Sequence, residues 1–106
     1  MSILLNSKEE FNKVNQSEDK FFLMKHSLTC PISAMAKKEF DQFSEQTSAV
    51  CYVLHVQESR ELSHFIAEEF NVRHESPQAL YFEDKEVKWH DSHNQIKTDV
   101  LKAVSS

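Results

Sequence analysis

The stretch Phe21-Phe22-Leu23-Met24-Lys25-His26-Ser27-Leu28-Thr29-Cys30-Pro31-Ile32-Ser33 carries a buried strand into a helix. Its first four residues form an almost unbroken apolar run, the pattern of a strand covered on both faces. From Pro31 the period changes. Ile32, Met35, Ala36, Phe40 and Phe43 recur at three and four, while Lys37, Lys38, Asp41 and Gln42 fall outside. That pattern predicts an amphipathic helix, with Pro31 at its first position, where a missing N–H costs nothing. Cys30 becomes the N-cap.

The flanking sequence repeats this alternation. Ser7-Lys8-Glu9-Glu10 reads as a capping box opening a helix, with Phe11 and Val14 on one face. A short strand at Ile3–Leu5 precedes it, and Gln16 to Lys20 reads as a loop. Val50 to Val56, rich in β-branched and aromatic residues, predicts a second buried strand. Leu62, Phe65, Ile66 and Phe70 mark the next helix. Ala79–Phe82 and Glu86–Trp89 form a hairpin around the turn Glu83-Asp84-Lys85, and Ile96, Val100, Leu101 and Val104 mark a closing helix. Strands alternating with helices imply a parallel core with right-handed crossovers, and the hairpin adds antiparallel strands. The expected fold is α/β: one domain over 1–106, a mixed four- or five-stranded sheet with helices on both faces. Its active edge lies at the carboxyl ends of the parallel strands.

Composition narrows the function. The 106 residues are 40% hydrophobic and 27% charged, an ordinary globular balance that needs neither disulfide staples nor a metal to fold. Twelve Lys and Arg against 17 Asp and Glu give a net charge of −5, which argues against binding a phosphate backbone. The chain contains no glycine, so the P-loop and the glycine-rich dinucleotide fingerprint are excluded. No apolar run approaches a membrane span, and Met1–Leu5 lacks a secretory pattern. The expected address is the cytoplasm, with no nucleic-acid and no membrane partner.

In a reducing compartment two cysteines make no disulfide framework. At the N-cap, Cys30 meets the free amides and positive dipole end of the helix. A thiolate there is stabilised and becomes a usable nucleophile. Ser33, three residues on, can donate a hydrogen bond to the sulfur, and Lys25 and His26 are near enough in sequence to add positive charge, with their direction left open by the sequence. Cys51 begins the second buried strand, about 13 Å from that strand's far end at 3.3 Å per residue. A disulfide needs Cα atoms within about 7 Å, so Cys51 reads as core.

Cys30-Pro31-Ile32-Ser33 between a buried strand and a helix resembles the C-x-x-C/S site of thioredoxin-fold proteins. Ser76-Pro77 before the strand Gln78–Phe82 is similar to the cis-proline loop of that fold. More narrowly, Lys25 to Ser33 together with Ser76-Pro77-Gln78 resembles the YtxJ-type monothiol bacilliredoxins over nearly the whole chain. That resemblance implies an enzyme of redox homeostasis under oxidative stress, a thiol–disulfide oxidoreductase that removes bacillithiol from proteins. Cys30 would be the nucleophile and Ser33 its catalytic partner, with Thr29, Pro31, Ser76, Pro77, Lys25 and His26 contacting substrate. It implies a cis Ser76–Pro77 bond that leaves an edge open for a substrate strand. No bound cofactor is expected; bacillithiol enters as thiol co-substrate, and the partners are bacillithiolated clients and the reductase of bacillithiol disulfide. Bacillithiol carries a malate, for which Lys25, His26, Arg73 and His74 are the candidate cations.

The sequence departs from thioredoxin at several positions. Ser33 replaces the second cysteine, Thr29 the usual tryptophan, and Met24 a buried acid, while glycines expected in the proline loop and hairpin are missing. Two other functions compete. One is a metal or iron–sulfur carrier like the monothiol glutaredoxins, although their Gly-Phe-Ser after the cysteine is absent. The other is a non-catalytic, stress-related binding module on the same scaffold. The six histidines suggest no metal site, because His90 and His93 bring no nearby cysteine.

Overall fold

The computed structural model describes residues 2–105. In chain order it contains β1 (Ile3–Leu4), α1 (Lys8–Ser17), β2 (Lys20–His26), α2 (Pro31–Gln46), β3 (Val50–His55) and α3 (Arg60–Glu69). Then follow β4 (Gln78–Glu83), β5 (Glu86–Ser92), a 3₁₀ turn at His93–Gln95 and α4 (Thr98–Ser105). The five strands form one sheet in the order β1-β3-β2-β4-β5. β1, β3 and β2 run parallel, and β4 and β5 are antiparallel additions. The polar segment expected to be a loop from Gln16 is shorter than read: α1 continues through Ser17, and β2 begins at Lys20. Solvent-facing polar residues satisfy a helix as readily as a loop, so composition alone misplaces this boundary.

The alternation of strand side chains divides the core in two. Phe21, Leu23, Tyr52, Leu54, Leu80 and Phe82 face α1 and α3, meeting Phe11, Leu62 and Ile66. Phe22, Met24, Cys51, Val53, Ala79 and Tyr81 face α2 and α4, meeting Ala36, Phe40, Phe43 and Leu101. The run Phe21–Met24 is thus buried on both faces because a helix layer covers each face. The register slips between Tyr81 and Phe82. Val87 therefore joins the α1/α3 layer while Trp89, two residues on, joins the other.

Local rules place the ends. Ser7 Oγ accepts from the amide of Glu10 at 3.2 Å, and the Glu10 carboxylate reaches back to the Asn6 amide at 2.7 Å. Without glycine, left-handed backbone falls to other residues: Asn71 (φ 54°) beyond α3, Asp84 (53°) and Lys85 (68°) in the hairpin, and His93 (56°) after β5. Asn, Asp and His tolerate this region; Lys carries a steric cost there. The β4–β5 turn is therefore the two residues Asp84-Lys85, with both φ positive.

Candidate active site

β2 delivers the site. Its last register pairs are His26 with His55 on β3 and Lys25 with Gln78 on β4. The chain following His26 and the chain preceding Gln78 therefore reach the same edge of the sheet. Cys30 stands at that edge as the N-cap of α2, in extended backbone (φ −99°, ψ 121°), with Pro31 opening the helix. Its carbonyl accepts from Ala34 at 3.0 Å, while its side chain makes no cap hydrogen bond. The thiol is half-buried and free. The Ser76–Pro77 peptide is cis, as the resemblance implied. The Pro77 carbonyl accepts from His93 N–H at 3.0 Å, which ties the loop to the end of β5.

Ser33 behaves differently from expectation. It is fully buried, and its Oγ accepts from the Ser27 amide at 2.8 Å and meets His26 Nδ1 at 2.8 Å. Among the described residues, no hydrogen bond joins it to the Cys30 sulfur. Three residues along a helix brings Ser33 beneath the Ser27–Cys30 loop, where the orphan Ser27 N–H outcompetes a weak sulfur acceptor. Ser33 is a positioning residue that fastens the loop to β2.

Lys25 and His26 separate across the sheet. Lys25 follows Phe21 and Leu23 onto the α1/α3 side, away from α2, and is wholly buried. Its Nζ donates to the Ser63 carbonyl at 3.0 Å and to His74 Nδ1 at 3.3 Å. Burial pulls its pKa from 10.5 to about 8. The cation expected beside the thiol is thus an internal one, because strand alternation sends it to the other face. His26 is half-buried at the edge, its ring 5.7 Å from that of His55. Burial first, then the charge of His55, lowers its pKa, which favours the neutral imidazole.

Thr29 and Pro31 are exposed beside Cys30, Ser76 is half-buried and Pro77 buried. Ser76 Oγ is buried without a hydrogen-bond partner among the described residues. The reading from sequence missed Gln57. Its Nε2 donates to Ser27 Oγ at 2.8 Å and to Thr29 Oγ1 at 3.2 Å, and its Oε1 accepts from the Leu28 amide at 3.1 Å. The signal available was position: Gln57 lies just past β3, at the edge where β2 also ends. Leu28, before Cys30, and Ile32 and Met35, in the first turns of α2, are apolar and 48%, 51% and 72% exposed.

Cys51 is buried as expected. It pairs with Phe22, four register steps from the His26–His55 end, and burial pushes its thiol up to about 11. Its Sγ donates only a long contact, 3.8 Å, to the Ala49 carbonyl.

The family model of the monothiol bacilliredoxin BrxC matches residues 3–101. The chain belongs to that family. A solved thioredoxin-fold protein described as an oxidoreductase is 40% identical over 99% of this chain and 94% of its own, with a TM-score of 0.95. A single-site mutant of thioredoxin from Halobacterium salinarum superposes with a TM-score of 0.80 at 21% identity, covering 97% of this chain and 86% of the other. Oxidised thioredoxin from Plasmodium falciparum does so at 0.77 and 14% identity, over 98% and 94%. These two show the fold alone. As a bacilliredoxin-family chain with a thioredoxin fold, the protein has the character of a thiol–disulfide oxidoreductase. Among the described residues, no group of three or more His, Cys, Asp and Glu could hold a metal, and no helix is long and apolar enough to cross a membrane.

Proposed function

We propose that the protein removes bacillithiol from protein mixed disulfides by a one-cysteine cycle. The Cys30 thiolate attacks the bacillithiol sulfur of the mixed disulfide. The S–S bond to the client breaks, and the client leaves as a thiolate that takes up a proton. A second bacillithiol thiolate then attacks the bacillithiol sulfur on Cys30, yielding bacillithiol disulfide and free Cys30. A separate reductase consumes that disulfide. One observation carries this reading: Cys30 is a free, half-buried thiol at the open edge, while the other sulfur is locked in the core. With Ser33 in the place of a resolving cysteine, the second step falls to an external thiol.

The chain's own residues hold the geometry. Gln57 and Ser33 fix Ser27 to Thr29 from two sides, so Cys30 enters α2 from a fastened loop. Thr29, Pro31, His26, Ser76 and Pro77 line the approach of the client. The test is release of bacillithiol from a modified client, with free bacillithiol as the only reductant. Wild type should turn over and Cys30→Ser should not; equal release by Cys30→Ser would refute the assignment.

A further inference from the structure

We propose that the cavity between the β3–α3 turn, α3 and His74 binds a small carboxylate, and that it receives the acidic end of the low-molecular-weight thiol exchanging at Cys30. The second half rests on the function proposed above. The cavity is about 270 Å³ and is lined by Val56, Gln57, Arg60, Ser63, His64 and His74. Its walls offer a guanidinium, two imidazoles and an amide, with no carboxylate among the described lining residues. In a chain of net charge −5, the six lining residues carry a formal positive charge on Arg60 and no negative one. Of the neighbouring acids, Glu58 meets His55 and Glu75 accepts from Ser92, while Glu9, Glu61 and Glu68 line the adjoining cavity on the other side of Arg60 and His64.

Two features behind the walls strengthen the reading. The buried Lys25 ammonium donates to Ser63 and His74, both of which line the cavity, and no carboxylate pairs with it among the described residues. A buried cation is ordinarily paired, so this one leaves an unneutralised field where the cavity opens. His74 Nδ1 meets both Lys25 Nζ at 3.3 Å and Ser63 Oγ at 3.2 Å. Since an ammonium can only donate, Nδ1 is the accepting nitrogen and the ring proton sits on Nε2, a donor for an anion. Arg60 adds the fork that matches a carboxylate.

Position links the cavity to the thiol. Gln57 is part of the wall and also holds Ser27 and Thr29, the residues leading into Cys30. A carboxylate seated against Arg60 and His74 therefore lies across one side chain from the reactive loop.

The test has two arms, using wild type and an Arg60→Gln/His64→Gln variant, both positions being exposed. In the first, L-malate is titrated while the side-chain NMR signals of Arg60, His64 and His74 are followed, with glycerol as the uncharged control. Saturable shifts with malate alone are expected, weakened about tenfold or more in the variant for two lost charge-assisted contacts. Absent saturation, or shifts unchanged by the substitutions, would overturn the site. In the second arm, the Cys30–cysteamine mixed disulfide, whose adduct has no carboxylate and leaves the cavity open, is reduced by bacillithiol or by cysteamine. No client is present, so an acidic client side chain is not the occupant being read. The variant should slow bacillithiol about tenfold and leave cysteamine unchanged; equal slowing, or none, would refute the link to the thiol. Malate binding by a wild-type chain inert to both thiols would instead refute the proposed exchange and uphold the cavity.

Discussion

Both sulfurs belong to the α2 side of the sheet, yet their settings are opposite. Cys51 lies near the start of β3 against Phe22, where burial raises its thiol to about 11. Cys30 lies beyond the other end of β2, half-buried at a helix start with fastened loop backbone before it. Distance along the strand, rather than residue type or layer, decides which sulfur packs in the core and which stands at the open edge. The comparison also separates two kinds of support: the core silences Cys51 by withholding water, whereas Ser33 and Gln57 position Cys30 through hydrogen bonds.

The largest expected effect is in reactivity. At pH 8, a thiol with a pKa near 11 is alkylated on the order of a hundredfold more slowly than a free cysteine. Timed iodoacetamide labelling with peptide mapping should find Cys30 modified and Cys51 protected until the chain is denatured. Comparable labelling of the two in the folded protein would erase the contrast.

The burial that silences Cys51 acts on Lys25 with the opposite charge. Its folded pKa, about 8, lies below the ordinary 10.5, so between these values the unfolded chain holds more protons. The contribution of Lys25 to stability should therefore rise as pH climbs from 8 to 10.5, by about 2–3 kcal/mol, against an opposing fall above pH 9 from Cys51, whose thiol is raised from 9.0 to about 11. Urea-unfolding curves of wild type and Lys25→Met should therefore show a stability difference that shifts toward wild type by that amount across the range. A difference that does not change with pH would mean that Lys25 does not supply it.

Next in size is Ser33→Ala, which removes the acceptor of the half-buried Ser27 amide and should cost about 1–2 kcal/mol. Faster hydrogen exchange at Ser27 should accompany the loss, with Cys51 labelling unaltered. Unchanged exchange at Ser27 would remove the loop-fastening role. The smallest effect is in the hairpin: Lys85→Gly relieves a left-handed lysine and should add about 0.5–1 kcal/mol by thermal unfolding, leaving both cysteines as they were.

Periodicity made most of the fold legible. The switch from the apolar run at Phe21 to the three-and-four spacing after Pro31 located β2, α2 and the Cys30 cap, whereas the second loop of the site, Ser76-Pro77 before β4, was legible only through its resemblance to the cis-proline loop of thioredoxin-fold proteins. Lys25 was misplaced because it was assigned by nearness to Cys30, whereas strand alternation turns it to the other face. Ser33 was placed on the correct helix, but its choice between a sulfur and a main-chain amide depends on where the loop descends, which spacing does not encode. Gln57 was unreadable for a related reason: its three partners lie about thirty residues away and meet it only through the β2–β3 register.

The most direct test of the one-sulfur account is the intact mass of the protein after exposure to oxidised bacillithiol, followed by peptide mapping and then by addition of the reduced thiol. The account predicts a single bacillithiol adduct on Cys30 that the reduced thiol removes completely, with Cys51 unmodified throughout. An internal Cys30–Cys51 disulfide, or an adduct carried by Cys51, would contradict it.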